Sequence, residues 1–314
     1  MSLPRSRPAP ARAGPCSPRQ AYGLLGAIIL LWGLNWPVMK LGLGYIPPMW
    51  FAAARLALGA ATLFAILAAA GRLRRPARGD LPVLASIAIL QMIVFLACVN
   101  TGLLYVDAGR AAILAYTTPL WVTPAAVLLL GERLNARKGA GLALGLCGIL
   151  ALFNPLVFDW SQRAVVLGNG LLMLGALAWA GAILHTRAHR WRGTPLDLAP
   201  WQMALAAPVM AALALAFEPA ARIDWSPALA LILAYNGPVA TAFCFWAVVT
   251  VQRGLPTIST SLGLLGVPTA GLLLSAAWLG EPLSADRVLG LLLILSGMAL
   301  VNLAELGKQA DERD

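Results

Sequence analysis

Residues 119–148, PLWVTPAAVLLLGERLNARKGAGLALGLCG, read against residues 268–297, PTAGLLLSAAWLGEPLSADRVLGLLLILSG, show one pattern written twice. Pro119, Leu130, Gly131, Glu132, Leu134, Ala136, Gly141, Leu142, Leu144, Leu146 and Gly148 recur 149 positions later. Their counterparts are Pro268, Leu279, Gly280, Glu281, Leu283, Ala285, Gly290, Leu291, Leu293, Leu295 and Gly297. Leu and Ala coincidences are cheap in an apolar chain. A Gly-Glu pair twelve residues after a proline, followed by spaced glycines, is not. Earlier in each copy, at an offset of 147, Gly23, Leu24, Leu25, Leu30 and Trp32 match Gly170, Leu171, Leu172, Leu177 and Trp179.

The repeat lies in a chain made for lipid. Sixty per cent of its 314 residues are hydrophobic, 11% are charged, and the mean hydropathy is +0.78. A water-exposed surface of this size needs more charge than that. Every Asp and Glu falls at the end of an apolar run, in a connection or near the C-terminus. That is the spacing a hydrocarbon layer imposes on carboxylates.

A span needs roughly 17–25 apolar residues at about 1.5 Å each. Ten such stretches are expected: 21–39, 48–70, 81–99, 111–130, 136–153, 167–184, 198–217, 228–251, 258–279 and 285–303. Basic residues then set the orientation. With the N-terminus inside, 17 of the 23 Lys and Arg face the cytoplasm, and Lys40, Arg110, Arg163, Arg222 and Arg287 face the other side. Only Arg55 is left within a span. The bias is the one cytoplasmic loops carry, and it explains the net charge of +10 without nucleic acid. Residues 1–19, basic and rich in Pro, read as a disordered cytoplasmic tail, followed by repeats at 20–155 and 156–304 and a cytoplasmic tail at 305–314.

Five spans is an odd number, so the second copy enters the membrane the other way up. The fold class expected is an all-α integral membrane protein of ten transmembrane helices as two inverted five-helix repeats. Transporters use this architecture, with a site at the repeat interface opened by rocking one half against the other.

With two five-helix repeats, Arg55 in the second span and the doubled Pro…Gly-Glu-x-Leu pattern, the chain resembles the EamA-type branch of the drug/metabolite transporter superfamily over roughly residues 21–303. The resemblance implies a secondary exporter of amino acids or related metabolites in a bacterial-type inner membrane. One group of the family exports aromatic amino acids. Proton antiport of other metabolites or drugs is the alternative.

Candidate substrate contacts are residues of mid-span depth: Asn35, Trp36, Gln91, Tyr116, Trp121, Trp179, Tyr235, Asn236 and Trp246. Aromatic walls with a few polar anchors suit a solute cavity, and a buried indole N–H needs a partner. Packing between helices uses the same residues. Arg55 reads either as a guanidinium fork for a substrate carboxylate or as a structural pair with Asp107 or helix-end carbonyls. Its counterpart at the 147 offset is Gln202. Pro119 and Pro268 are candidate hinges. Asn35-Trp36-Pro37 and Asn236-Gly237-Pro238 read either as helix breakers or as simple kinks, the second without an evident partner in the first half. Glu132 and Glu281 are expected to meet the dipole of the helix that follows each, ahead of any role in proton coupling.

No nucleotide-binding loop, metal-ligand spacing or catalytic constellation is visible, so no cofactor, metal or catalytic residue is assigned. The expected partners are a small-molecule substrate and the lipid bilayer, with the chain a monomer or weak homodimer. Without a mid-span carboxylate for a proton relay, flux that follows the substrate gradient is the expectation.

Overall fold

A computed structural model describes residues 17–130, 135–153, 161–189, 192–219, 222–255, 260 and 263–311. Among them the chain forms ten helical segments and no strand. In the first half these are α1 (Pro18–Gly42), α2 (Pro48–Ala69), α3 in three consecutive pieces (Leu81–Ser86, Ile87–Val94, Phe95–Gly102), α4 in two (Ala108–Ala115, Thr118–Leu130) and α5 (Ala136–Phe153). The second half repeats the order: α6 (Arg163–Ala188), α7 (Pro195–Phe217), α8 in three pieces (Pro227–Ala234, Tyr235–Phe243, Cys244–Gly254), α9 (Gly266–Leu279) and α10 (Ala285–Asp311). Eight of these are long and apolar enough to cross a membrane, and α9 is a shorter apolar helix. Leu30, Ile66, Leu128, Leu150, Leu215, Leu231 and Leu292 turn outward, each more than half exposed, as a lipid-facing surface does. The protein is a multi-pass membrane protein.

The ends depart from the expected boundaries. α1 starts at Pro18, because Ser17 and Gln20 form a capping box that satisfies the first free N–H groups. α10 runs on to Asp311, through most of the segment expected as a tail.

Helix pairing shows how the halves are related. α1 packs on α8 and α9 of the other half, and α6 packs correspondingly on α3 and α4. The equivalent helices α5 and α10 pack on each other and run antiparallel. A Cβ at Gly141 would lie 2.7 Å from the Gly297 carbonyl oxygen, and one at Gly148 would lie 2.9 Å from that of Gly290. Exchange of the halves turns the first contact into the second. An approximate two-fold axis perpendicular to these helices is required, which makes the repeats inverted.

Irregular backbone is matched between halves too. α3 carries a π-helical stretch at Ile87–Val94 and α8 one at Tyr235–Phe243. The Asn236-Gly237-Pro238 segment is therefore widened rather than broken, and it does have a partner, one that no Gly or Pro betrays in sequence. α1 passes through Pro37 without interruption, so the break expected at Asn35-Trp36-Pro37 does not form. α4 is interrupted at Tyr116–Thr117 and α9 is preceded by a turn at Leu265, equivalent positions just ahead of Pro119 and Pro268. The proline ring disfavours helical geometry in the residue before it and removes a donor. In α4, Thr117 and Thr118 donate their hydroxyls to the Leu114 and Ala115 carbonyls at 2.7 and 2.9 Å, satisfying acceptors at the break.

Carboxylates fasten the ends across the halves. At the end holding Tyr45, Glu281 accepts from the Ala108 and Gly109 N–H groups at 2.7 and 2.9 Å, and Glu218 accepts from Met49 and Trp50 at 3.0 and 3.3 Å. Glu281 thus caps α4 of the opposite half, not the helix that follows it. The turn at Gly280, with φ of +67°, directs the chain there, a conformation that favours glycine. Glu132 and Gly131 lie outside the described residues. At the other end, buried Asp80 accepts from the N–H groups of Arg192 and Gly193, just before α7, and from His189 at 3.0 Å.

Candidate functional site

One layer of the bundle collects polar side chains. Asn35 lies seven residues from the end of α1, Arg55 seven from the start of α2, Tyr116 eight from the start of α4 and Tyr235 eight from the start of α8. All four distances are measured from the Tyr45 end, so the side chains lie about 10–12 Å below it.

Arg55 is 8% exposed and organises this layer. Its Nε donates to Thr241 Oγ1 at 3.1 Å, and one terminal nitrogen donates to the Met39 sulfur at 3.2 Å. Asn35 donates to the same sulfur at 3.2 Å. Thr241 in turn donates to the Asn236 carbonyl at 2.6 Å, five residues back, a reach that the π-helical stretch sets up. Tyr235 donates its hydroxyl to the Leu31 carbonyl, and Trp32 donates to Ala240 O at 2.9 Å. α1, α2 and α8 are so joined across the two halves.

Close approach is what makes this possible. Gly237 lies against α2: a Cβ there would come within 2.5 Å of Leu58 Cβ and 3.3 Å of the Arg55 carbonyl. A Cβ at Gly59 would meet Thr241 at 3.0 Å. Arg55 does not pair with Asp107, whose carboxylate is taken by Arg287. No carboxylate among the described residues reaches it.

A second, aromatic group flanks the first. Trp179 meets Phe95 edge-on at 4.9 Å between centroids and Tyr116 at 6.3 Å. Trp121 donates to Thr117 Oγ1 at 3.1 Å, and Gln91 is half-buried within the π stretch of α3. Tyr116 and Trp121 pack against the same apolar core as Met39, which links this group to the Arg55 layer. Trp36 is buried against Gly271 of α9. Trp246 is apart: it leans on Phe243 at 5.6 Å and leaves 39% of its surface exposed. Gln202, the counterpart of Arg55, is 1% exposed, seven residues from the start of α7 and so toward the opposite end of the bundle.

Sequence reasoning missed Met39 and Thr241. Met39 is four residues from Asn35, on the same helix face, and could have been found by that spacing. Thr241 could not, because five-residue spacing only signifies contact once the π stretch is known.

The EamA-like transporter family model matches residues 21–154 and again 166–303, one copy per half. The chain belongs to the EamA-like transporter family. It is 27% identical over 281 residues to a probable amino-acid metabolite efflux pump of Escherichia coli (strain K12), covering 86% of this chain and 91% of that one. It is 26% identical over 300 residues to a probable terminal-alkyne amino-acid exporter of Streptantibioticus cattleyicolor, covering 93% and 96%. A solved crystal structure shares the fold, with a TM-score of 0.64 at 24% identity, covering 91% of this chain and 96% of that one.

Proposed function

We propose that this EamA-like transporter exports amino acids or closely related metabolites across a bacterial inner membrane by alternating access. The substrate site is the Arg55 layer with its aromatic flank, and the Asp80 end is cytoplasmic. One observation carries the reading: the polar cluster bridges α1 and α2 of one inverted repeat and α8 of the other. Rocking of the halves would expose such a place first to one side and then to the other. Relatives named for amino-acid export support the substrate class. The bias of basic residues toward the Asp80 end supports the orientation.

Flux follows the substrate gradient, as facilitated transport or exchange, since no Asp or Glu occupies a mid-span position. Purified protein in vesicles tests this with a panel of labelled amino acids, with and without a pH gradient. Counterflow of at least one amino acid at equal pH supports the reading. Transport that appears only when a pH gradient is imposed would establish proton coupling instead. The aromatic flank of Tyr116, Trp121 and Trp179 favours Phe, Trp and Tyr within the panel.

A further inference from the structure

A buried cation without a counter-ion is costly, and proteins keep one only where something completes it. Arg55 is such a cation. It is 8% exposed, its hydrogen-bond partners among the described residues are a hydroxyl and a thioether, and no carboxylate among them lies within ion-pair distance. The same cluster carries the opposite deficit. Asn236 is fully buried and Asn35 is 7% exposed, and the side-chain oxygen of each has no hydrogen-bond partner among the described residues. Their amide nitrogens are already used, on the Ile232 carbonyl at 3.2 Å and on the Met39 sulfur.

We infer that the Arg55 cluster is a receptor for the zwitterionic head of an α-amino acid, with Arg55 taking the carboxylate and the Asn35 and Asn236 side-chain oxygens taking the ammonium. An unpaired guanidinium supplies donors in a fork that matches a carboxylate. Two orphaned amide oxygens supply acceptors for an ammonium, which has three donors and no acceptor. Asn35 and Arg55 converge on one sulfur, and Thr241 links Arg55 to the Asn236 backbone carbonyl, so the donor and acceptor residues belong to one hydrogen-bonded cluster, as the two charges of an α-amino acid belong to one head. A simple anion would leave the amide oxygens unsatisfied, and a simple cation would face Arg55. The inference rests on the proposed site and names what that site reads.

Equilibrium binding to the purified, detergent-solubilised protein tests it, using the twenty L-amino acids and, for whichever binds best, its carboxamide and its des-amino acid. Removal of either charged group is expected to weaken binding by about tenfold or more, the scale of a lost charged hydrogen bond. In Arg55→Gln the acid and its carboxamide should bind alike, whereas in Asn236→Ala the discrimination against the des-amino acid should shrink. Met39→Glu guards against a variant that merely misfolds. It sets a carboxylate beside the guanidinium and should raise the unfolding temperature while abolishing amino-acid binding. Equal binding of an amino acid and both analogues overturns the inference, as does undiminished binding in Met39→Glu. Vesicles that carry some other solute while no amino acid binds overturn it and leave the exporter intact. Amino-acid binding without flux leaves the receptor intact and removes the exporter.

Discussion

Gly141 on α5 and Gly297 on α10 meet backbone to backbone across the two-fold, each lying where a Cβ on the other would strike its carbonyl oxygen at 2.5–2.7 Å. Gly148 and Gly290 repeat the contact from the symmetric side. Small residues that let helix backbones touch hold helices together in lipid, where apolar side chains gain nothing by leaving the tails for one another.

Gly141→Leu or Gly297→Leu should therefore separate α5 from α10. The expected cost is about 1–3 kcal/mol, the usual range for overpacking. A drop in unfolding temperature in detergent checks it, and Gly139→Leu, where a Cβ meets nothing within 4 Å, is the control expected to show little change.

Glu281→Gln removes the charge that caps α4 while keeping its shape. We expect a loss of about 1 kcal/mol in stability, in the range of cap and dipole effects. The pH dependence of transport should stay as in the parent protein. A transport profile that loses its pH response in this variant would instead make Glu281 a proton carrier.

Thr117→Val strips a hydroxyl that serves the Leu114 carbonyl and accepts from Trp121. The Leu114 carbonyl keeps the Thr117 backbone N–H at 3.1 Å, so the group left short of a partner is the Trp121 indole N–H, at about 1–3 kcal/mol for a group left unsatisfied. Ser at this position should restore most of the loss. Thermal unfolding of the two variants side by side measures it.

Inversion has a direct chemical readout. Arg75 and Arg222 are exposed, one in the connection before α3 and the other in the topologically equivalent connection before α8. Cysteines placed there, in a chain otherwise freed of its 4 native cysteines, should react with an impermeant thiol reagent from opposite sides of the membrane. Arg75→Cys should be labelled from the cytoplasm and Arg222→Cys from outside.

Much of this was legible in the chain. The apolar runs, the placement of every carboxylate and the bias of Lys and Arg reported the span number and the expected orientation. The Gly-Glu recurrence at 132 and 281 reported the repeat. Pro119 and Pro268 marked the helix interruptions to within a few residues, since proline acts on its immediate neighbours. Pro37 does not end its helix, because a proline near a helix end can be carried when the surrounding packing holds the helical segment together. The π stretch at Ile87–Val94 gave no signal, for nothing in IAILQMIV departs from an ordinary span.

Span count, charge bias and repetition are properties of short segments, or of one segment compared with another, and the amino-acid order alone determined them. What Arg55 touches, that Glu281 crosses to α4, and that the buried side-chain oxygens of Asn35 and Asn236 find no partner among the described residues were settled only by the folded bundle. These contacts join residues up to 186 positions apart, and they depend on how far each helix is turned about its own axis when it packs. An apolar helix can present nearly any face to lipid, so that rotation is decided by its neighbours.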